Sequence, residues 1–198
     1  MTDSESGVPS PNHWRTRDAI FAGVIGTAAF ATAFVLGTGL ILATGIPATG
    51  GIANIFPVVF LAVLGFKICP RPFFGIIVMT IVFTLAVPTA IGGPLGPFKI
   101  ANGIAIGIVW DAIVTLSGRR NGGIMIASSV AAVVSILSVY VGLVILKLPA
   151  VEKLRPLLLP LGAVQAVLGL LAAFLALKMY DKRVANWPSV RRFQSAGM

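Results

Sequence analysis

Between Ala19 and Phe66 no side chain ionises, a run too long for one buried helix of a soluble domain. A bilayer core of roughly 30 Å takes about 20 apolar residues per helix. The run therefore predicts two membrane spans joined near Gly45-Ile46-Pro47. Charges and Pro/Gly clusters punctuate the rest of the chain. The predicted segments are Ala19–Thr44, Ile52–Phe66, Phe73–Ile91, Ile100–Ser117, Gly122–Leu146 and Leu157–Met179. Pro57 inside the short second segment predicts a kink or a partly re-entrant helix. The expected fold is all-α, a polytopic bundle of six transmembrane helices over 19–179. A disordered polar tail, 1–18, precedes it and a basic tail, 180–198, follows.

Composition narrows the function. With 57% hydrophobic and 11% charged residues in a chain of 198, six spans leave no room for a soluble catalytic domain. A net charge of +9 in a soluble protein would point to nucleic acid. Here the positions of the cations matter more, and no nucleic-acid partner is expected. With the amino terminus inside, eleven Lys and Arg fall on the cytoplasmic side: Arg15, Arg17, Lys67, Arg71, Arg119, Arg120, Lys178, Lys182, Arg183, Arg191 and Arg192. Only Lys99, Lys147, Lys153 and Arg155 fall outside. That bias predicts cytoplasmic termini and a multi-pass protein of the plasma membrane, with the lipid bilayer as its solvent.

Several chemistries lack their residues. His13 is the only histidine and Cys69 the only cysteine, so neither a metal site nor an internal disulfide is expected. Paired intramembrane acids and a Gly-x-x-x-x-Gly-Lys phosphate loop are both missing from the sequence. The chain is expected to be no enzyme, to carry no cofactor and to hydrolyse no ATP itself.

What remains is polar or small residues placed in lipid. Ala29, Ala33 and Gly37 recur every four residues in the first span, preceded by Ala22 and Gly26. Such a stripe lets another backbone approach closely, either one of the chain's own helices or a separate membrane subunit. Two Gly/Pro-rich outer connections, 45–54 and 92–103, are either tight turns or loops that close over a ligand. In the second case Asn54, Lys99 and Asn102 offer hydrogen bonds and one positive charge. Tyr140 and Gln165, towards the outer halves of the last two spans, could flank a flat heterocycle; interface anchoring explains Tyr140 equally well. Asp111 is the one carboxylate inside a predicted span, a functional candidate by default. Its place near the cytoplasmic end favours a structural pairing with a cation such as Arg119, or a coupling role, over ligand contact.

The chain resembles the substrate-binding (S) component of energy-coupling-factor vitamin transporters. The likeness lies in its size, six apolar segments and inside termini, and in three stretches of sequence. These are Ala29-x-x-x-Ala33-x-x-x-Gly37, the stretch Ile46-Pro47 through Asn54-x-x-Pro57, and Gly92-Gly93-Pro94-Leu95-Gly96-Pro97 followed by Gly103-x-x-x-Gly107-x-x-x-Asp111. The resemblance implies an outward-opening pocket for a small vitamin-like organic ligand, roofed by the loop after the first span. It implies Asn54, Lys99, Asn102, Tyr140 and Gln165 as ligand contacts. It also implies docking of Ala29, Ala33 and Gly37 on a transmembrane coupling subunit that is itself bound to ATPase subunits. Without the resemblance, the residues also fit an assembly subunit of a larger membrane complex or a small stand-alone permease.

Overall fold

A computed structural model describes residues 14–44, 47–89 and 96–195, all helices and turns. The helices are α1 (Thr16–Thr44), α2 (Pro47–Ile68), α3 (Phe74–Ala86), α4 (Phe98–Leu116), α5 (Asn121–Ile145), the short α6 (Ala150–Leu154), α7 (Leu158–Lys182) and α8 (Pro188–Ser195). Single 3₁₀ turns join α6 to α7 and α7 to α8. Among the described residues five helical stretches are long and apolar enough to cross a membrane, as a polytopic membrane protein requires. The sixth apolar helix, α3, has 13 residues, about 20 Å at a rise of 1.5 Å per residue, which is short of the hydrocarbon core.

The main helices close into a ring. Going round, α1 packs on α2, α2 on α7, α7 on α5, α5 on α4, α4 on α3, and α3 back on α1. Small residues set the crossings. A Cβ on Gly26 of α1 would lie 2.9 Å from the Ile81 side chain of α3, and one on Gly169 of α7 would lie 2.7 Å from the Ser128 carbonyl of α5. Trp110 of α4 is fully buried, edge-on to Phe66 of α2, and its Nε1–H donates to Ser128 Oγ of α5 at 3.1 Å. That hydrogen bond satisfies the one polar atom an indole brings into an apolar core. Large apolar side chains such as Ile20, Val24, Val35 and Leu42 stay exposed on the outside of α1, where a lipid-facing surface belongs.

Three boundaries differ from the sequence expectation. Residues 14–18 are part of the folded unit: Trp14 Nε1–H donates to the Pro72 carbonyl, and Asp18 is buried against Arg71 Nε at 2.8 Å. The Asp18 carboxylate also accepts the Arg15 backbone N–H at 3.3 Å, so it reaches back to the residue just before its own helix, as the third-position carboxylate of a capping box does. At the other terminus α7 runs to Lys182, and α8 folds back over the same end of the bundle. There Arg17 lies 5.0 Å over the Phe193 ring, and Gln194 donates to Tyr180 and to the last carbonyls of α2. The third difference is α2, which begins at Pro47 and continues through Pro57. Proline at a helix start has its φ preset and lacks an N–H that would be orphaned anyway. Residues 47–54 are therefore helix rather than loop. The junction 45–46 and the stretch 90–95 lie outside the described residues.

Candidate functional site

One cavity opens in the half of the bundle away from the Asp18–Arg71 pair, between the first turns of α2 and the last turns of α3. It measures about 640 Å³ counted out to its open mouth, of which about 70 Å³ admits the centre of a water molecule. Phe30 and Ala33 of α1, Ile55, Val58 and Val59 of α2, Met79, Val82 and Phe83 of α3, and Ile106 of α4 give it apolar walls. Two polar side chains line it, Asn54 from α2 and Ser135 from α5.

Asn54 is the unusual member. It is 7% exposed, yet neither Oδ1 nor Nδ2 has a hydrogen-bond partner. A buried amide without partners costs on the order of 1–3 kcal/mol, so native chains retain one where something else satisfies it. Its carboxamide rests against the backbone of α1 at Gly37: a Cβ there would collide with Oδ1 and come within 2.7 Å of Nδ2. The last residue of the small-residue stripe thus makes the notch in which the amide sits.

The rest of the stripe also faces inward. Ala22, Ala29 and Ala33 are 0%, 0% and 2% exposed, with Gly26 and Gly37 buried beside them. The chain's own α2 and α3 occupy the face on which a separate subunit was expected to dock. Internal packing accounts for Ala29, Ala33 and Gly37, with the last two also serving the cavity.

Of the five expected ligand contacts, only Asn54 reaches the cavity. Lys99 is fully buried, and its Nζ donates to the carbonyls of Ala86 at 2.9 Å and Thr89 at 2.6 Å. Those oxygens belong to the last residue of α3 and the turn beyond it. Asn102 Nδ2 on α4 and Gln165 Oε1 on α7 are buried and unpartnered, and Tyr140 on α5 is half-buried, but none of the three lines this cavity. The apolar lining residues escaped sequence reading because Phe30, Met79 and Phe83 are indistinguishable there from ordinary core. Ser135 was visible only as one of several in-span serines.

Asp111 lies at the opposite end of the same short helix. Its Oδ1 accepts the Gly75 N–H at 3.1 Å and its Oδ2 the Ile76 N–H at 2.8 Å. Phe73 precedes α3 in a left-handed conformation (φ 63°) and provides no side-chain cap, so a carboxylate from α4 does the capping. Arg119 donates instead to the Pro70 carbonyl at 2.9 Å. The expected structural role for Asp111 thus has a different partner, helix amides rather than a guanidinium. Gly103 and Gly107, two turns and one turn before it, bring α4 against the α3 backbone near Met79 and Ile76.

Cys69, in the turn after α2, is buried, and burial pushes its thiol up to about 11, with the nearby Asp18 carboxylate adding to the shift against Arg71 and Arg17. The reactive thiolate is scarce at neutral pH under these conditions. Maleimide labelling at pH 7.5 is therefore expected to be slow in the folded protein and fast after SDS unfolding; rapid labelling of the native protein would contradict the burial.

No protein-family model, no curated protein and no solved structure matches this chain.

Proposed function

We propose that the chain is the substrate-binding subunit of a membrane uptake system, holding a small vitamin-like organic molecule in the cavity beneath Asn54. In this reading all six apolar helices act as spans, α3 as a shortened one, with both termini on the cytoplasmic side of the plasma membrane. The cavity then opens outward and delivers its ligand through a transmembrane coupling subunit driven by ATPases. The eleven-to-four distribution of cations supports the orientation. The ring of helices, with Arg17 and Phe193 at one end, fits an even number of crossings. The observation that carries the proposal is the buried, wholly unpartnered amide of Asn54 in an apolar cavity.

Asn54→Leu tests it, because leucine has nearly the shape of asparagine and no protein hydrogen bond is lost. Expected are an unchanged or raised melting temperature for the ligand-free protein, from relief of an unpaired polar group, and binding weakened by about tenfold or more, the worth of roughly 1.4 kcal/mol. The readouts are thermal unfolding in detergent and mass spectrometry of small molecules released from the purified protein. A variant that loses stability and retains its co-purifying molecule would make Asn54 a structural residue and remove the site.

A further inference from the structure

The end of the bundle that holds Asp18 and Arg71 carries more cations than the fold itself uses. Eleven Lys and Arg lie on the elements that meet there: the start of α1, the end of α2, the α2–α3 and α4–α5 turns, the end of α7, and α8. Among the described residues three carboxylates share that end. Asp18 is held by Arg71, and Asp111 by the Gly75 and Ile76 amides, which leaves Asp181 at the surface. The excess is greatest at the corner between α7 and α8. Lys178, Lys182, Arg183, Arg191 and Arg192 are all exposed there, and among the described residues none of them pairs with a carboxylate. Arg191 folds back onto the Asn186 side chain at 2.8 Å, a neutral partner that leaves its charge uncompensated. Cations gathered on one surface without counterions raise a positive potential that draws anions to it.

The position of the corner decides which anions. Helix α8 turns Val190 and Phe193 onto the bundle, so its apolar side is covered and its basic side faces outward. Trp187, just before α8, is 54% exposed, and an amphipathic indole suits the boundary between hydrocarbon and water. Phe174 and Leu175 are exposed one turn before Lys178, whose ammonium lies 5.7 Å over the Phe174 ring. On α4 the exposed Leu116 likewise comes just before Arg119 and Arg120. The cations therefore begin within a turn of apolar side chains that face lipid, at the depth of phospholipid headgroups, and not on a loop held out in water. A guanidinium fork matches a pair of phosphate oxygens. Each cation next to an anionic membrane surface is worth roughly a factor of five in affinity.

We propose that the α7–α8 corner binds the headgroups of anionic phospholipids and so anchors the bundle against a negatively charged leaflet. Only residence in a bilayer is needed for this, whatever the cavity holds. The full-length protein in neutral detergent is titrated with tail-labelled phosphatidylglycerol or phosphatidylcholine, and fluorescence anisotropy reads the binding. Phosphatidylglycerol is expected to bind at least about tenfold more tightly, because a choline headgroup carries its own cation beside the phosphate. Raising the salt from about 0.1 M to about 1 M shortens the Debye length from about 10 Å to about 3 Å and is expected to remove most of that preference. Arg183→Gln/Arg192→Gln alters two exposed side chains that make no hydrogen bond or ion pair among the described residues. It is expected to weaken phosphatidylglycerol binding by about tenfold and to leave phosphatidylcholine binding and the melting temperature unchanged. Lys147→Gln/Arg155→Gln removes the same charge at the opposite end of the bundle and is expected to change neither. Should the first double variant melt early, Arg192→Gln alone repeats the test with an expected loss of about fivefold. A parent protein that does not distinguish the two lipids overturns the proposal. So does a preference that survives Arg183→Gln/Arg192→Gln, or one that falls equally in both double variants, since net charge alone would then explain it. Polyglutamate binding at this end, with phosphatidylglycerol no better than phosphatidylcholine, would assign the surface to an acidic soluble partner and overturn it as well.

Discussion

Asp111→Leu is expected to destabilise the protein by about 3 kcal/mol, since each buried donor left unsatisfied costs about 1–3 kcal/mol and two are orphaned here. The amides of Gly75 and Ile76 have the Asp111 carboxylate as acceptor. The carboxylate is buried in the protein, so water cannot replace it cheaply. Leucine keeps the branched outline of aspartate but is larger, so overpacking against α3 adds to the loss. Asp111→Asn keeps one acceptor oxygen but turns an NH₂ group towards the second amide, and about half the loss is expected. Thermal unfolding in detergent measures the first effect, and hydrogen exchange at Gly75 and Ile76 shows where it arises. A coupling role, the alternative open from the sequence, predicts the reverse: Asp111→Asn would abolish uptake while melting as the parent does.

The size of that effect follows from the length of α3. If α3 acts as the shortened span proposed above, a helix of about 20 Å in a core of roughly 30 Å has at least one end at membrane depth, where its unpaired N–H and C=O groups need partners. Both sets come from α4, which runs antiparallel to it. Asp111 meets the amides at the amino-terminal end, and Lys99 meets the carbonyls at and just past the carboxy-terminal end. The two residues are 12 apart in sequence, about 18 Å along a helix, close to the length of α3 itself. Each charge also has the sign that the helix dipole favours at its end.

Much of this fold is legible in the chain because lipid leaves few alternatives. Helices satisfy their own backbone, so the charge-free run from Ala19 to Phe66 had to become helices, and α1 and α2 divide it near Gly45. The sequence was less informative where a local rule competed with burial. Pro88 ends α3 early, since proline has no N–H to continue the helix ladder and its ring crowds the carbonyl four residues back, and this shortening turned Lys99 from an expected ligand contact into a cap. The small-residue stripe had two valid readings, because close approach of a helix looks the same whether the neighbour is α2, α3 or another subunit. Asn54 was visible as a polar residue in an apolar stretch. Its walls were not, since a cavity arises from what Phe30, Met79 and Phe83 fail to fill, which no pattern along the chain records.

Gly107→Ala carries the second large expected effect, again about 3 kcal/mol of destabilisation. A Cβ at Gly107 would collide with the Ile76 Cα and lie 2.8 Å from its nitrogen and 3.0 Å from the Gly75 carbonyl. All three are backbone atoms, so no rotamer change relieves the clash, and α3 as a whole must move away from α4. Overpacking of this kind costs about 1–3 kcal/mol. Here the displaced amide is also the one that Asp111 holds at 2.8 Å, which places the effect at the upper end of that range. The two sites share atoms, so their effects should not add. The double variant Gly107→Ala/Asp111→Leu is expected to fall well short of the summed losses in thermal unfolding; full additivity would show that the glycine contact and the carboxylate cap act independently. Gly23 of α1 provides the control. Nothing lies within 4 Å of a Cβ built there, so Gly23→Ala should be neutral or stabilising by up to about 1 kcal/mol. Equal losses at Gly23 and Gly107 would mean that membrane glycines act here through helix flexibility, and that the α3–α4 crossing does not depend on close approach.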